Sequence, residues 1–167
     1  NDNCHAIGAA YLDDQKYAVK YADVVIQSYH PVKHITTGEG GAVLTNDLQI
    51  DEKVRLLRTH GMTNDPDRME RHEGPWYYEM HEPGFNYRIT DFQCALGSSQ
   101  LKRLDEFIEK RRRIAEKYDA AFSDIEYIKT GAALETVKHA YHLYPLQIDF
   151  EKTTLTKPEF FESMKTL

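Results

Sequence analysis

The chain has 167 residues, of which 41% are apolar and 29% are charged, and its formal net charge at pH 7 is -6. This composition is typical of a globular protein, and the negative charge argues against a nucleic-acid-binding surface, which usually carries a basic excess. Two cysteines, Cys4 and Cys94, are too few for a disulfide framework and predict a cytoplasmic location. Because no apolar run approaches the roughly 18 residues of a membrane-spanning helix, we expect no membrane partner.

The predicted elements of the first part of the chain are short strands. Residues 1–10 are typical of a strand end that runs into a turn of small residues, and the β-branched residues within 21–28 predict a short buried strand. Segments 35–37 and 42–45 flank the sequence Gly-Glu-Gly-Gly at 38–41, so a hairpin with a glycine turn is predicted there.

A helix and a long irregular segment are predicted next. Asn46 or Asp47 can cap the helix, and Gly61 lies where its C-terminal cap belongs. Residues 62–85 are rich in Asp, Glu, His, Pro and Gly and predict a loop, and a loop of this length is usually functional. Its aromatic residues either line a substrate pocket or pack at a subunit boundary, and the sequence leaves both alternatives open for Trp76, Tyr77 and Tyr78.

A long helix is predicted to begin at Thr90 and Gln93, which have the spacing of a capping box. Gly97 either interrupts this helix or only weakens it, and the basic run at 110–113 is predicted to be a solvated helix face. The apolar positions recur at roughly the helical period: Phe92, Leu96, Leu101, Leu104, Ile108 and Tyr118.

The pattern changes after residue 122. Segments 125–128 and 141–148 alternate like strands, and Thr156 can cap a last helix with Pro158 in its first turn. These features predict the opening of a second, smaller domain. The sequence begins without methionine and stops within this helix, so we expect it to be an internal piece of a longer protein.

Lys33 is the strongest candidate for chemistry, because it lies between an apolar strand and a glycine-rich turn. A primary amine can hold pyridoxal 5′-phosphate (PLP) as a Schiff base. Asp2 can keep the pyridine nitrogen protonated, His5 can pack on the ring, and Ser28 can bind the phosphate. Each residue alone has an ordinary alternative, such as a solvated lysine or an aspartate cap, and only the set favours a PLP site.

These motifs have a counterpart in a known family. Segments 2–9, 28–41, 84–89 and 97–101, taken in this order, resemble the DegT/DnrJ/EryC1/StrS sugar aminotransferases. The resemblance implies an α/β fold, namely part of a fold-type I PLP-dependent transferase. It implies that residues 1–122 are the later part of a large domain with a mainly parallel sheet. Residues 123–167 would then begin the small α/β domain.

The resemblance also implies roles for individual residues. Lys33 would carry the cofactor and, once freed, move a proton on the substrate. Asp2 would contact the pyridine nitrogen, His5 would lie by the ring and Ser28 would bind the phosphate. In a homodimer with shared active sites, Asn86 would reach the phosphate in the neighbouring subunit.

Three further residues are expected to contact substrates. An arginine fork suits a carboxylate or phosphate, which is the role expected of Arg88. Glu39 and Tyr87 would also contact substrate, although Glu39 has the alternative of bracing the glycine turn. No metal site is predicted, because the histidines of the 60–81 region and Cys94 fit no zinc spacing.

The expected reaction is amine transfer from glutamate to a UDP-linked 4-keto-6-deoxy sugar, as in pseudaminic acid biosynthesis. Residues 73–80 resemble that branch of the family. The alternatives are a transaminase for a different nucleotide keto-sugar and a non-catalytic regulatory or scaffold relative. Because the family's phosphate-binding glycine-threonine segment would precede Asn1, we expect this stretch alone to bind PLP poorly and to be inactive.

Overall fold

A computed structural model describes residues 1–166, so Leu167, the last residue of the predicted small domain, lies outside the described residues. The helices are α1 (Tyr17–Tyr21), α2 (Leu48–Leu57), α3 (Asp91–Leu101), α4 (Leu104–Phe122) and α5 (Lys157–Met164), with a 3-10 turn at Phe150–Lys152. The strands are β1 (Ala10–Tyr11), β2 (Val25–Ser28), β3 (Gly41–Leu44), β4 (Met62–Thr63), β5 (Glu79–Met80), β6 (Ile128–Thr130), β7 (Val137–Lys138) and β8 (Leu146–Ile148).

The strands form four antiparallel pairs: β1 with β7, β2 with β3, β4 with β5, and β6 with β8. A parallel bridge joins Asp2 to Ile26 beside β2. The pair β6–β8 confirms that the two strands predicted after residue 122 exist, although both begin later than expected. The β1–β7 pair was not predicted, and it ties residue 138 back to residue 10.

The predicted hairpin between 35–37 and 42–45 is wrong. The second segment does form β3, but β3 pairs with β2, so that Ser28 lies opposite Gly41 and Val25 opposite Leu44. Residues 35–37 form no strand, because the backbone of Tyr29 takes their place: its N–H donates to the Gly40 carbonyl at 2.8 Å and its carbonyl accepts from Thr37 N at 3.0 Å. The chain from 29 to 40 is therefore a closed loop at the end of a two-stranded ribbon.

The helix caps agree with the sequence. Asp47 accepts from the N–H groups of Gln49 and Ile50, and Gly61, at a φ of 69°, donates its N–H to the Leu56 carbonyl at the end of α2. Capping boxes begin α3 at Thr90 and α5 at Thr156. The single long helix predicted after residue 90 is instead two helices, and the break lies at residues 102–103 rather than at Gly97.

The long helix α4 carries the core. Ile108 is 2% exposed and clusters with Ala9 and Ala140, so the helix packs against both an early and a late segment of the chain. Gly8 is required here, because its φ is 83° and a Cβ would lie 2.5 Å from Ile108 Cγ1. Within residues 1–166, none of the helices is long and apolar enough to cross a membrane.

Candidate active site

Asp2 lies beside β2, the strand that leads to the lysine loop. The N–H of Asn3 donates to the Ile26 carbonyl at 2.9 Å, and the N–H of Ile26 donates to the Asn1 carbonyl at 2.9 Å. These two bonds flank Asp2 and fix its register against Ile26. The exposed Asp2 side chain therefore stands at a defined point next to the ribbon that carries Lys33.

The charges of His5 and Lys33 act on the carboxyl group of Asp2. Hydrogen bonds from the Cys4 thiol and then from the Cys4 N–H, at 3.0 Å to Oδ1, lower the pKa of Asp2. The charges of His5 and Lys33 lower this pKa further. Because such influence decreases with distance, Asp2, His5 and Lys33 form one electrostatic group, in which the carboxylate is ionised.

The lysine loop is pinned at its base. The Thr36 hydroxyl donates to the Tyr29 carbonyl at 2.9 Å, and within the loop the N–H of Lys33 donates to the His30 carbonyl at 2.9 Å. Lys33 is half-buried on this loop. Ser28 ends β2 just before the loop, and its Oγ accepts a long hydrogen bond of 3.4 Å from the His30 N–H.

The predicted substrate residues form a second group. Glu39, Tyr87 and Arg88 line a cavity of about 640 Å³ that also contains Arg58, whereas Lys33 and Asp2 lie outside its lining. Asn86 is exposed and bridges to Thr59 at the end of α2. Glu39, Tyr87 and Arg88 thus form a group separate from that of Asp2, His5 and Lys33, and neither Ser28 nor Asn86 lines this cavity. Glu39 also holds the turn, because its carbonyl accepts from Thr37 and from Gln93 on α3.

Sequence reasoning missed a histidine cluster next to Lys33. The His5 and His142 rings lie 4.2 Å apart between centroids, and His34 lies 5.4 Å from His142. Burial, the nearby Arg111 charge and His142 lower the pKa of His34 to about 4, so its ring is neutral at pH 7. The run His-Ala-Tyr-His at 139–142 was the signal that could have identified this cluster.

The prediction of a solvated face at 110–113 is wrong for two of its four residues. Arg111 donates to the carbonyls of Tyr141 and His142, and Arg112 donates to that of His139. These contacts arise because residues 139–142 lie along α4 in the fold. The local charge pattern does not predict this long-range packing. Lys110 and Arg113 do lie on the surface, paired with glutamates one turn earlier.

The residues of the first group fit PLP. Asp2 and His5 are exposed and Lys33 is half-buried, so the ionised carboxylate, the imidazole and the amine of this electrostatic group are accessible to a cofactor. A separate cavity of about 310 Å³ adjoins His5 and is lined by residues 131–133 and 139–145 except 140. Within residues 1–166, histidine, cysteine and carboxylate side chains form no group of three that could hold a metal ion.

Comparison with known sequences gives a consistent result. The sequence profile of the DegT/DnrJ/EryC1/StrS aminotransferase family matches residues 1–166. The chain is 41% identical over 164 residues to the UDP-4-amino-4,6-dideoxy-N-acetyl-beta-L-altrosamine transaminase of Campylobacter jejuni, covering 98% of this chain and 41% of that protein. The chain thus spans about two fifths of the length of the curated relatives that it matches.

Solved structures agree with the sequence matches. PseC of Helicobacter pylori, an aminotransferase involved in pseudoaminic acid biosynthesis, has a TM-score of 0.84 at 34% identity, covering 99% of this chain and 42% of that one. A Streptococcus pneumoniae protein described as a sugar aminotransferase, solved in its PMP form, has a TM-score of 0.80 at 28% identity, covering 98% and 42%. These neighbours have the predicted fold, that of fold-type I PLP-dependent transferases, and PLP is the family's cofactor. The chain belongs to the DegT/DnrJ/EryC1/StrS aminotransferase family.

Proposed function

We propose that the whole protein is a PLP-dependent aminotransferase that moves an amino group from glutamate to a UDP-linked 4-keto-6-deoxy sugar. The observation that supports this proposal is the lowered pKa of the Asp2 carboxyl group, to which the charges of His5 and Lys33 contribute. A carboxylate, an amine and an imidazole in one accessible group are the functional groups that a PLP site requires. Membership of an aminotransferase family supports the same reaction class.

The proposed roles follow from the chemistry of each side chain. Lys33 would hold the cofactor through its amine and afterwards move a proton on the substrate carbon. Asp2, which stays ionised because of its lowered pKa, would hold a proton on the pyridine nitrogen, and His5 would pack on the ring. Ser28 would exchange its long bond to the His30 N–H for the phosphate. When bound, the cofactor supplies a ring that accepts electrons from the reacting carbon.

The second group would serve the substrates and the partner subunit. Arg88 would bind a carboxylate or phosphate, and Glu39 and Tyr87 line the same cavity. We propose a homodimer in which Asn86 reaches the cofactor phosphate of the neighbouring subunit. The separation of the two groups within one chain supports shared active sites, since neither group alone supplies cofactor and substrate contacts.

We further propose a division of the chain between two domains and a cytoplasmic location. Residues 1–122 would belong to the large PLP-binding domain and 123–167 to the start of the small domain. The β6–β8 pair after α4 supports this boundary. Two free cysteines, Cys4 and Cys94, support the reducing cytoplasm.

Borohydride trapping tests the cofactor assignment. The whole protein is loaded with PLP, reduced and digested, and the expected result is a pyridoxyl label on Lys33. Lys33→Arg, which keeps the charge but cannot form the covalent link, is expected to lose the label, whereas Lys20→Arg on the surface is expected to retain it. A label on another lysine, or none, contradicts the proposal.

A second experiment distinguishes an enzyme from a regulatory relative and identifies the acceptor. Glutamate is expected to bleach the yellow colour of the PLP-bound protein, because the cofactor passes to its amine form. The amine form is then offered a panel of nucleotide-linked 4-keto and 3-keto sugars. The UDP-linked 4-keto-6-deoxy sugar is expected to restore the colour fastest, as the relative from Campylobacter jejuni suggests by its name. Colour that glutamate never bleaches would favour the regulatory alternative.

A further inference from the structure

Four consecutive carbonyls in the segment 139–142 are bound by side chains from elsewhere in the chain. Arg112 Nε donates to the His139 carbonyl at 3.0 Å, and His34 contacts the Ala140 carbonyl at 3.1 Å. Arg111 donates to the carbonyls of Tyr141 and His142, at 3.0 and 3.3 Å. The segment lies between β7 and β8, so these side chains provide the hydrogen bonds that a strand partner provides elsewhere.

His34 is the member of this set that belongs to the lysine loop. It directly follows Lys33 and is only 4% exposed. Because its Nε2 faces a carbonyl, Nε2 must carry the proton and donate, which leaves Nδ1 unprotonated. That Nδ1 is buried and has no hydrogen-bond partner among residues 1–166. Burying Nδ1 without a partner costs free energy. The hydrogen bond from Nε2 to the Ala140 carbonyl offsets part of that cost.

The clamped segment ends at His142, whose ring packs on His5. The two ring centroids are 4.2 Å apart, and both residues line the cavity of about 310 Å³. Tyr141 has a φ of 49°, an unfavourable conformation for a residue with a side chain. A backbone in this region persists only when its surroundings impose it, and the donors from His34, Arg111 and Arg112 do so.

We propose that His34 is a positioning residue, which fixes the lysine loop to the carbonyl of Ala140 and so holds His142 against His5. The inference rests on the proposed function, because it matters to catalysis only if His5 lies by the cofactor ring. The inference gives His34, the residue that follows Lys33, a role in positioning the site. His34 acts through the backbone of the late segment and does not itself touch the reacting atoms.

Two substitutions separate this role from simple filling of space. His34→Gln places an amide nitrogen near the position of Nε2, whereas His34→Asn places it near Nδ1, too short to reach Ala140. His34→Gln is expected to keep the nuclear Overhauser effect between the His5 and His142 rings, and His34→Asn is expected to lose it. This first measurement needs no cofactor, so it remains decisive even if borohydride labels no lysine.

The PLP-bound protein gives the second measurement. His34→Asn is expected to lower kcat about 10- to 100-fold, with a smaller change in KM, and to reduce the visible circular dichroism of the bound PLP. His34→Gln is expected to stay within about threefold of the unmodified protein. If both variants keep the ring contact, or if both lose it equally, the proposal is wrong.

A variant on α4 tests the same contact independently, in case His34→Asn does not fold. Arg111→Lys keeps the positive charge on a side chain that is one atom shorter, so its amine is expected to lose the contacts that Arg111 Nη1 makes with the Tyr141 and His142 carbonyls and to weaken the same ring contact. Arg113→Lys is the matched control, because Arg113 pairs with Glu109 on the surface, and it is expected to leave the contact unchanged. An intact ring contact in Arg111→Lys would argue against the clamp.

Discussion

At the scale of single residues, Asp2 gives the sharpest prediction. Asp2→Asn keeps the size and the backbone bridge but removes the charge, so turnover of the whole protein is expected to fall about 100- to 1,000-fold, as when one electrostatic stabiliser is removed. Stopped-flow absorbance with glutamate measures this change. Asp13→Asn, on an exposed residue that pairs with Lys138, should leave turnover unchanged. Equal turnover in Asp2→Asn and the unmodified protein would exclude a role for Asp2.

Single residues also show where sequence reasoning reaches its limit. Asp2, His5 and Lys33 could be proposed from the sequence because their chemical types and order match a cofactor's needs, and the charges of His5 and Lys33 contribute to the lowered pKa of Asp2. His34 could not be predicted, because its importance comes from burial and from a carbonyl 106 residues away. Local sequence records neither of these properties.

Among the elements, the loop between β4 and β5 depends on Glu79. Its carboxylate, 12% exposed, accepts from His81 and from the N–H groups of Glu70 and Arg71. These hydrogen bonds, that of His81 first, lower the pKa of Glu79 from 4.5 to about 2. The carboxylate therefore organises one side of this long segment.

The pH dependence of this loop follows from the sign of that shift. Since the folded-state pKa is depressed, the stabilisation is complete above pH 4.5 and is lost as the pH falls toward about 2. The protection factors of the Glu70 and Arg71 amides, which correct for the intrinsic pH dependence of hydrogen exchange, are expected to fall as the pH falls over that range. Glu79→Gln should give roughly tenfold faster exchange already at pH 7, and Glu73→Gln should not. Protection factors that do not change between pH 4.5 and about 2 would contradict the assignment.

Caps were predicted more accurately than strand partners. Asp47, Thr90 and Thr156 act locally, within three residues of the groups they bind, so the sequence contains the whole interaction. By contrast, two segments of the chain could pair with β3, and local sequence does not decide between them. Both 25–28 and 35–37 are apolar enough to pair, and the bonds of Tyr29 decide in favour of the former.

At the scale of the whole molecule, Ile108 joins segments distant in sequence. Ile108→Ala is expected to destabilise the protein by about 3 kcal/mol and Ile108→Val by about 1 kcal/mol, because the cavity opens between Ala9 and Ala140. Urea unfolding measures both. Ile114→Ala on the same helix, at a residue 51% exposed, is expected to cost less than about 1 kcal/mol. Equal costs at the two positions would mean that the cluster is not a core.

The proposed homodimer makes a prediction about an exposed apolar residue. Phe92 is 90% exposed at the start of α3, near the cavity that contains Tyr87 and Arg88. Phe92→Asp is expected to weaken dimerisation about 100-fold in sedimentation experiments, while an acid in the first turn favours the helix itself. Leu48→Asp, at a residue 70% exposed at the start of α2, is the matched control. A dimer that survives Phe92→Asp would place the interface elsewhere.

The contact between His34 and the Ala140 carbonyl has a consequence for synthesis in the cell. The two residues are separated by 106 positions, and ribosomes add about 5–20 residues per second, so a nascent chain waits about 5–20 s between them. During that interval the His34 imidazole, which is buried in the folded protein, lacks the late segment that carries the Ala140 carbonyl. A chaperone that binds the emerging polypeptide is therefore expected to contact the region around Lys33 and to leave it once residue 140 has passed the exit tunnel.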